Sequence, residues 1–223
     1  MIAIVDYGMG NIRSVEKGFI KVGADVVVTS DPKVIRDAKG IVLPGVGAFK
    51  DCMKNLDNLN LLEPIVKEIQ KGKPYLGMCL GLQLLFTESE EFGVSKGLDV
   101  FKGKVVKFAW SIKRGASSVE LTTTNTRCAT QLKIPHMGWN TVKLLKEPPI
   151  FKGISDNSYF YFAHSFYVVP EDKEIIAGVT EYGVEFVSMV WKDNVFATQF
   201  HPEKSQELGL KILNGFKEFV TVQ

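Results

Sequence analysis

The chain is poor in residues that do covalent or metal chemistry. It has three cysteines and three histidines among 223 residues. Cys52, Cys79 and Cys128 are odd in number and unrelated in spacing. That argues against a disulfide framework and for a reducing compartment, so a cytoplasmic location is expected. The histidines and cysteines form no cluster with ligand spacing, so neither a metal site nor a cofactor is expected. Charge of one sign is also missing, since 27 Lys and Arg against 25 Asp and Glu leave +2. Nothing therefore draws the chain to nucleic acid or to a membrane surface. No apolar run approaches the ~20 residues that span a bilayer. The start, Met1-Ile-Ala-Ile-Val-Asp6, lacks a basic segment and reads as a strand rather than a signal peptide.

What is present suits a single α/β domain over 1–223. Hydrophobic residues make up 45% and charged residues 23%, enough for a full core. Short apolar runs at Ile2–Val5, Asp25–Thr29, Gly40–Leu43 and Pro74–Met78 alternate with helical patterns. One is Ile12, Val15, Phe19 and Val22 after a Gly10-Asn11 cap. Another runs from Phe49 to Gln70 as one or two helices, and a third closes the chain from Gln206 to Val220. Apolar strands alternating with helices predict a mainly parallel central sheet covered on both faces. The runs Thr141–Leu145, Tyr159–Ala163, Phe166–Val169, Glu174–Val179 and Phe186–Trp191 predict a mixed or antiparallel β extension.

The stretch Tyr75-Leu-Gly-Met-Cys-Leu-Gly-Leu-Gln-Leu-Leu-Phe86 sets Cys79 between Gly77 and Gly81. It follows an apolar strand and precedes a helix-like run, Leu80–Glu88. This is the layout of a nucleophile elbow with sulfur for oxygen, where side chains at the flanking positions would clash with the returning helix. A helix N-terminus aimed at the sulfur would favour thiolate. A buried cysteine in a strand-to-helix connection is the rival reading. Far downstream, Val195-Phe-Ala-Thr-Gln-Phe-His-Pro-Glu-Lys204 reads as a strand ending in His201 and Glu203. In extended backbone, positions two apart share a side, so the carboxylate can hold the imidazole while the imidazole serves the sulfur. Cys79, His201 and the Pro44-Gly-Val-Gly47 turn all follow strand ends, which in a parallel sheet gather at one rim.

Together the elbow Gly77-Met-Cys-Leu-Gly81 and the late His201-Pro-Glu203 resemble the class I (triad) glutamine amidotransferases. Asp6-Tyr-Gly-Met-Gly-Asn-Ile12, Leu43-Pro-Gly-Val-Gly-Ala-Phe49 and Pro135-His-Met-Gly-Trp-Asn140 narrow the resemblance to the glutaminase subunits of imidazole glycerol phosphate synthases. The resemblance implies Cys79, His201 and Glu203 as a triad, with an oxyanion hole at Leu80 and in the Gly45–Gly47 turn, at Val46 and Gly47. It implies that Gln83, Glu91 and the backbone at His164-Ser165 bind glutamine. A core-edge amide, a solvated acidic run and a structural histidine are their plainer readings. It implies a separate (β/α)₈-barrel cyclase subunit as partner, receiving ammonia for histidine biosynthesis, with no second catalytic domain expected in this chain. Exposed His136, Met137 and Trp139 are expected to dock it, with Asn11 and Lys204 as further contacts. A class I glutaminase of another pathway would keep the triad and lack the Pro-His-Met-Gly-Trp-Asn run. A non-catalytic regulatory subunit would have lost a triad member. The resemblance breaks at residues 109–132, polar and hydroxyl-rich, where a surface insertion is expected, with a short edge strand at Val119–Thr124 as the alternative.

Overall fold

The computed structural model describes residues 1–108 and 133–222, so the segment expected as an insertion, and Cys128 within it, lie outside the described residues. The N-terminal half alternates as expected. β1 (Ile2–Val5), α1 (Ile12–Lys21), β2 (Val26–Thr29), α2 (Pro32–Asp37) and β3 (Gly40–Gly45) come first. The Phe49–Gln70 pattern resolves into two helices, α3 (Phe49–Asn58) and α4 (Leu62–Gln70). Then follow β4 (Tyr75–Cys79), α5 (Leu80–Gln83), β5 (Phe86–Ser89), β6 (Ser95–Lys96) and β7 (Phe101–Lys107). The C-terminal half holds β8 (His136–Leu144), β9 (Ser158–His164), β10 (Phe166–Pro170), β11 (Ile176–Glu181), β12 (Glu185–Lys192), β13 (Val195–Thr198) and α6 (Gln206–Val222).

The strands run in the order β2-β1-β3-β4-β13-β12-β10-β7-β5-β6. The first five are parallel. Beyond β13 the pairing turns antiparallel apart from β5 with β7, and β11, β8 and β9 branch off β12. This is the mainly parallel sheet with an antiparallel extension that the sequence predicted.

The reason for the apolar strands is burial on both faces. Ala3, Val5, Ile41 and Leu43 point to one core, with Phe49, Cys52 and Leu56 of α3 and Ile65 and Ile69 of α4. Their neighbours Ile2, Ile4 and Val42 point to the other, with Val15 and Phe19 of α1 and Ile212, Leu213, Phe216 and Val220 of α6. Alternate side chains of one strand thus anchor opposite helical layers. Among the described residues no helix is long and apolar enough to cross a membrane.

Four local expectations are corrected. The elbow helix ends at Gln83 rather than Glu88, because Phe86–Ser89 is drawn out to pair in parallel with β7. Glu88 therefore sits on a strand, paired with Lys104 at 3.0 Å, not at a helix end. Asn11 occupies the N-cap of α1 but its side chain makes no cap hydrogen bond, whereas Asp31 caps α2 by accepting from the Lys33 N–H at 2.7 Å. His136, expected on the surface, is only 3% exposed.

His136 is buried because β8 starts earlier than its apolar run suggested and faces β9. The register sets His136 opposite His164. Its ring stacks on Phe162 and Tyr182, at centroid distances of 4.8 and 4.0 Å. His164 Nδ1 lies 2.8 Å from the Phe166 carbonyl, His136 Nδ1 lies 2.9 Å from His164 Nε2, and Asn140 Nδ2 lies 3.2 Å from His136 Nε2. A carbonyl can only accept, so His164 carries its proton on Nδ1 and accepts at Nε2. His136 must then donate from Nδ1 and accept from Asn140. Both rings are neutral in this arrangement. Burial pulls His136 down to about 4 and His164 to about 3 from the ordinary 6.5.

A depressed histidine contributes stability that is complete above 6.5 and lost as pH falls toward the folded value. Urea unfolding at pH 7 and pH 5 should therefore show a loss of roughly 2 kcal/mol for each of the two rings. His136→Gln should remove about half of that slope.

Candidate active site

The elbow is built by close backbone approach. Cys79 ends β4 with φ +54° and ψ −104°, a sparsely populated conformation for a side-chain-bearing residue and of order 1–3 kcal/mol in strain. A Cβ on Gly77 would sit 2.5 Å from the Gly81 carbonyl oxygen, and one on Gly81 would fall on the Leu43 carbonyl oxygen of β3. The first clash is with the returning helix, as the sequence implied. The second is with the neighbouring strand. With only four residues, α5 supplies little macrodipole. What it offers the sulfur is its first-turn N–H groups.

β13 runs beside β4, with Thr198 opposite Met78, which carries residues 199–203 past the elbow. β13 itself stops at Thr198, and the His201–Glu203 pair is made through a 3-10 turn at Pro202–Lys204 rather than an extended strand. Pro202 starts that turn where a missing N–H does no harm. The result is the predicted contact: His201 Nδ1 lies 2.8 Å from Glu203 Oε1, both side chains almost fully buried. His201 Nε2 is buried and has no hydrogen-bond partner among the described residues. Burial disfavours the imidazolium, but the neighbouring Cys79 sulfur and then Glu203 outweigh it and push His201 up to about 10. That contribution to stability is complete below 6.5 and lost as pH rises through about 10, opposite in sign to the His136–His164 pair. A proton that leaves the sulfur is therefore well held on the imidazole between these two groups.

The Pro44–Gly47 turn lies beside the sulfur, since Gly45 is in register with Cys79. Tyr7 donates from its hydroxyl to the Pro44 carbonyl at 2.9 Å. The Cys52 thiol points to the Val46 carbonyl at 3.9 Å, so across that trans peptide the Gly47 N–H is directed away from Cys52. Gly47 has φ +103°, and Gly47 and Leu80 both line the cleft. Burial pushes the Cys52 thiol up to about 11, which leaves it inert.

The cleft has a volume of about 670 Å³. Gln83, Glu91, His164 and Ser165 line it, with Lys107 and Phe166. Glu91 accepts the Phe49 N–H at 2.7 Å, which ties it to the start of α3. Both hydrogens of Gln83 Nε2 are used, on the Phe166 carbonyl and on Gln199 Oε1, each at 3.1 Å. What Gln83 can offer a ligand is its oxygen, an acceptor. Met137 also lines the cleft and is 63% exposed. Trp139, 46% exposed, packs edge-on against Tyr161, and Lys204 Nζ lies 5.7 Å over the same ring. Asn11 is exposed.

Two residues of the site went unnoticed in the sequence. Ser205 accepts the Tyr161 N–H at 3.0 Å and donates to the His201 carbonyl at 2.7 Å, while the His201 N–H donates to the Tyr161 carbonyl at 2.9 Å. This clamp joins the His201 backbone to β9. Gln199, within the strand-like run, lies with its amide against the sulfur. Neither has a local signal, because both act across elements distant in sequence.

Gly81 has no room for a methyl group. Gly81→Ala should lower stability by about 3 kcal/mol or more, measured by denaturant unfolding, since the Leu43 carbonyl it would meet is backbone and cannot swing aside.

Residues 3–218 match the family model for class-I glutamine amidotransferases. The chain is 51% identical over 217 residues to the imidazole glycerol phosphate synthase subunit HisH of Geobacter sulfurreducens, covering 97% of this chain and 98% of that one. To the HisH subunit of Caldanaerobacter subterraneus it is 47% identical over 220 residues, covering 99% and 98%. Among solved structures, the glutaminase domain of Trypanosoma brucei CTPS with bound acivicin superposes with a TM-score of 0.65 at 18% identity, covering 100% of this chain and 94% of that one. At that identity the likeness is one of fold. The chain belongs to the class-I glutamine amidotransferases and, within them, to the family of HisH subunits of imidazole glycerol phosphate synthase.

Proposed function

We propose that this chain hydrolyses glutamine to glutamate and ammonia and passes the ammonia to a cyclase subunit that makes imidazole glycerol phosphate in histidine biosynthesis, in the cytoplasm. The observation that carries the reading is the buried His201–Glu203 pair beside a strained cysteine elbow. His201 takes the proton of Cys79, and Glu203 holds the imidazole in the tautomer that leaves Nε2 free. The sulfur attacks the side-chain amide carbon of glutamine, and the carbonyl oxygen becomes an oxyanion. The Leu80 N–H and an amide of the Val46–Gly47 turn stabilise it, each such donor being worth ~10²–10³ in rate. The intermediate collapses, the amide nitrogen leaves as ammonia with the proton from His201, and a γ-glutamyl thioester remains. Water, deprotonated by His201, hydrolyses it and regenerates the thiol.

The cleft supports glutamine as substrate. Gln83 presents an acceptor oxygen, Glu91 a carboxylate for the amino group, and the His164–Ser165 backbone borders the same space. Ammonia protonates in bulk water and ceases to be a nucleophile, so release must occur against a partner. The patch of Met137, Trp139 and Lys204, with Asn11 as a further contact, fits that surface because Met137 belongs both to it and to the cleft. His136 contributes from beneath, through its hold on Asn140, rather than by direct contact. The relatives are named as subunits, which implies a second chain, and the partner proposed for this surface is a (β/α)₈-barrel cyclase.

Glutamine-dependent ammonia release tests this. Cys79→Ala should lower turnover by at least about 10³-fold, and full activity in that variant would remove the mechanism. Trp139→Ala should cut the stimulation by the cyclase subunit roughly tenfold while basal hydrolysis stays within about twofold. Unchanged stimulation would remove the docking assignment.

A further inference from the structure

Gln199 has no exposed surface, and its side-chain amide must find partners inside the protein. Its orientation is dictated by a single backbone group. The Phe166 carbonyl can only accept, so the Gln83 amide must direct its NH₂ there, at 3.1 Å. The same nitrogen lies 3.1 Å from the Gln199 amide, and a donor there requires an oxygen opposite. Gln199 must then turn its own NH₂ away from Gln83, toward the Cys79 sulfur 3.6 Å off. That sulfur also lies 3.9 Å from the Ala163 carbonyl, an acceptor that suits a thiol.

We propose that Gln199 is a positioning residue for the nucleophile, holding the Cys79 thiolate by an N–H donor whose direction is set through Gln83 by the Phe166 carbonyl. The reading rests on Cys79 as nucleophile. The sulfur lies between two partners that suit its two protonation states. With its proton it satisfies the Ala163 carbonyl. When the proton passes to His201 Nε2, the anion loses that contact and keeps the Gln199 donor, which stabilises thiolate over thiol. The donor and the base share one short segment. The Gln199 backbone N–H is fixed to the Ser188 carbonyl at 2.8 Å and the His201 backbone N–H to the Tyr161 carbonyl, so sulfur, donor and base keep their spacing together.

The test is the pH dependence of Cys79 alkylation by iodoacetamide, located by peptide mass, in the full chain. Gln199→Met has similar length and no donor, and Gln199→Glu puts an acceptor in the same place. The alkylation profile should move up by about one pH unit in Gln199→Met and further in Gln199→Glu, and kcat for glutamine should fall roughly tenfold or more with KM within about threefold. Thermal unfolding identifies which variants are folded. Either variant folding normally with the wild-type alkylation profile overturns the proposal. So does a raised KM with kcat and profile unmoved, which would assign Gln199 to substrate binding through Gln83. If wild-type Cys79 resists alkylation and Cys79→Ala keeps its turnover, the nucleophile assignment fails first. Normal wild-type behaviour with unaltered Gln199 variants sinks the Gln199 role alone.

Discussion

The site depends on a backbone bend that tolerates no side chain next to it. Cys79 is held at positive φ because Gly77 and Gly81 allow β4 to turn directly into α5, with Gly81 pressed on the Leu43 carbonyl of β3. The strain is small beside the burial of two helical layers against the sheet, so the core can impose it. Once it is imposed, the sulfur cannot lie back in the sheet. It projects where β3, β4 and β13 end, and each of those strands delivers one part of the site. β3 brings the Pro44–Gly47 turn, β4 the sulfur, and β13 the segment of Gln199, His201 and Glu203.

Electrostatics divides the three histidines into opposite roles by their partners. His201 is buried against a carboxylate and a sulfur, and its charged form is favoured despite desolvation. His136 and His164 are buried against each other, an aromatic cluster and a carbonyl, and desolvation prevails. The pair thereby becomes a rigid, neutral link between β8 and β9. Those strands also carry the exposed Trp139 and, through Tyr161 and Ser205, the backbone of His201. Trp139 and His201 are consequently parts of one hydrogen-bonded unit.

The expectations drawn from the chain failed where a long-range partner overrode a local pattern. Residues 84–88 look helical by apolar content, but β7 offers Phe86–Ser89 a strand to pair with. His136 sits in a motif with exposed Met137 and Trp139, and only its register opposite His164 turns its ring inward. His201 and Glu203 meet as foreseen, but through a tight turn started at Pro202 rather than along a strand.

From its letters alone the chain determined the alternation of apolar strands and amphipathic helices, the glycine-flanked cysteine, and a histidine with a carboxylate two residues on. Those are local properties: periodicity, absence of a Cβ, and reach along a few bonds. The assembled fold alone sets how deeply the sulfur and imidazole are buried at that rim, fixes Gln83 and Gln199 in one orientation, and ties the His201 backbone to β9 through Ser205. Those contacts join residues far apart along the chain, and hydrogen-bond direction and desolvation exist only once the sheet has brought them together.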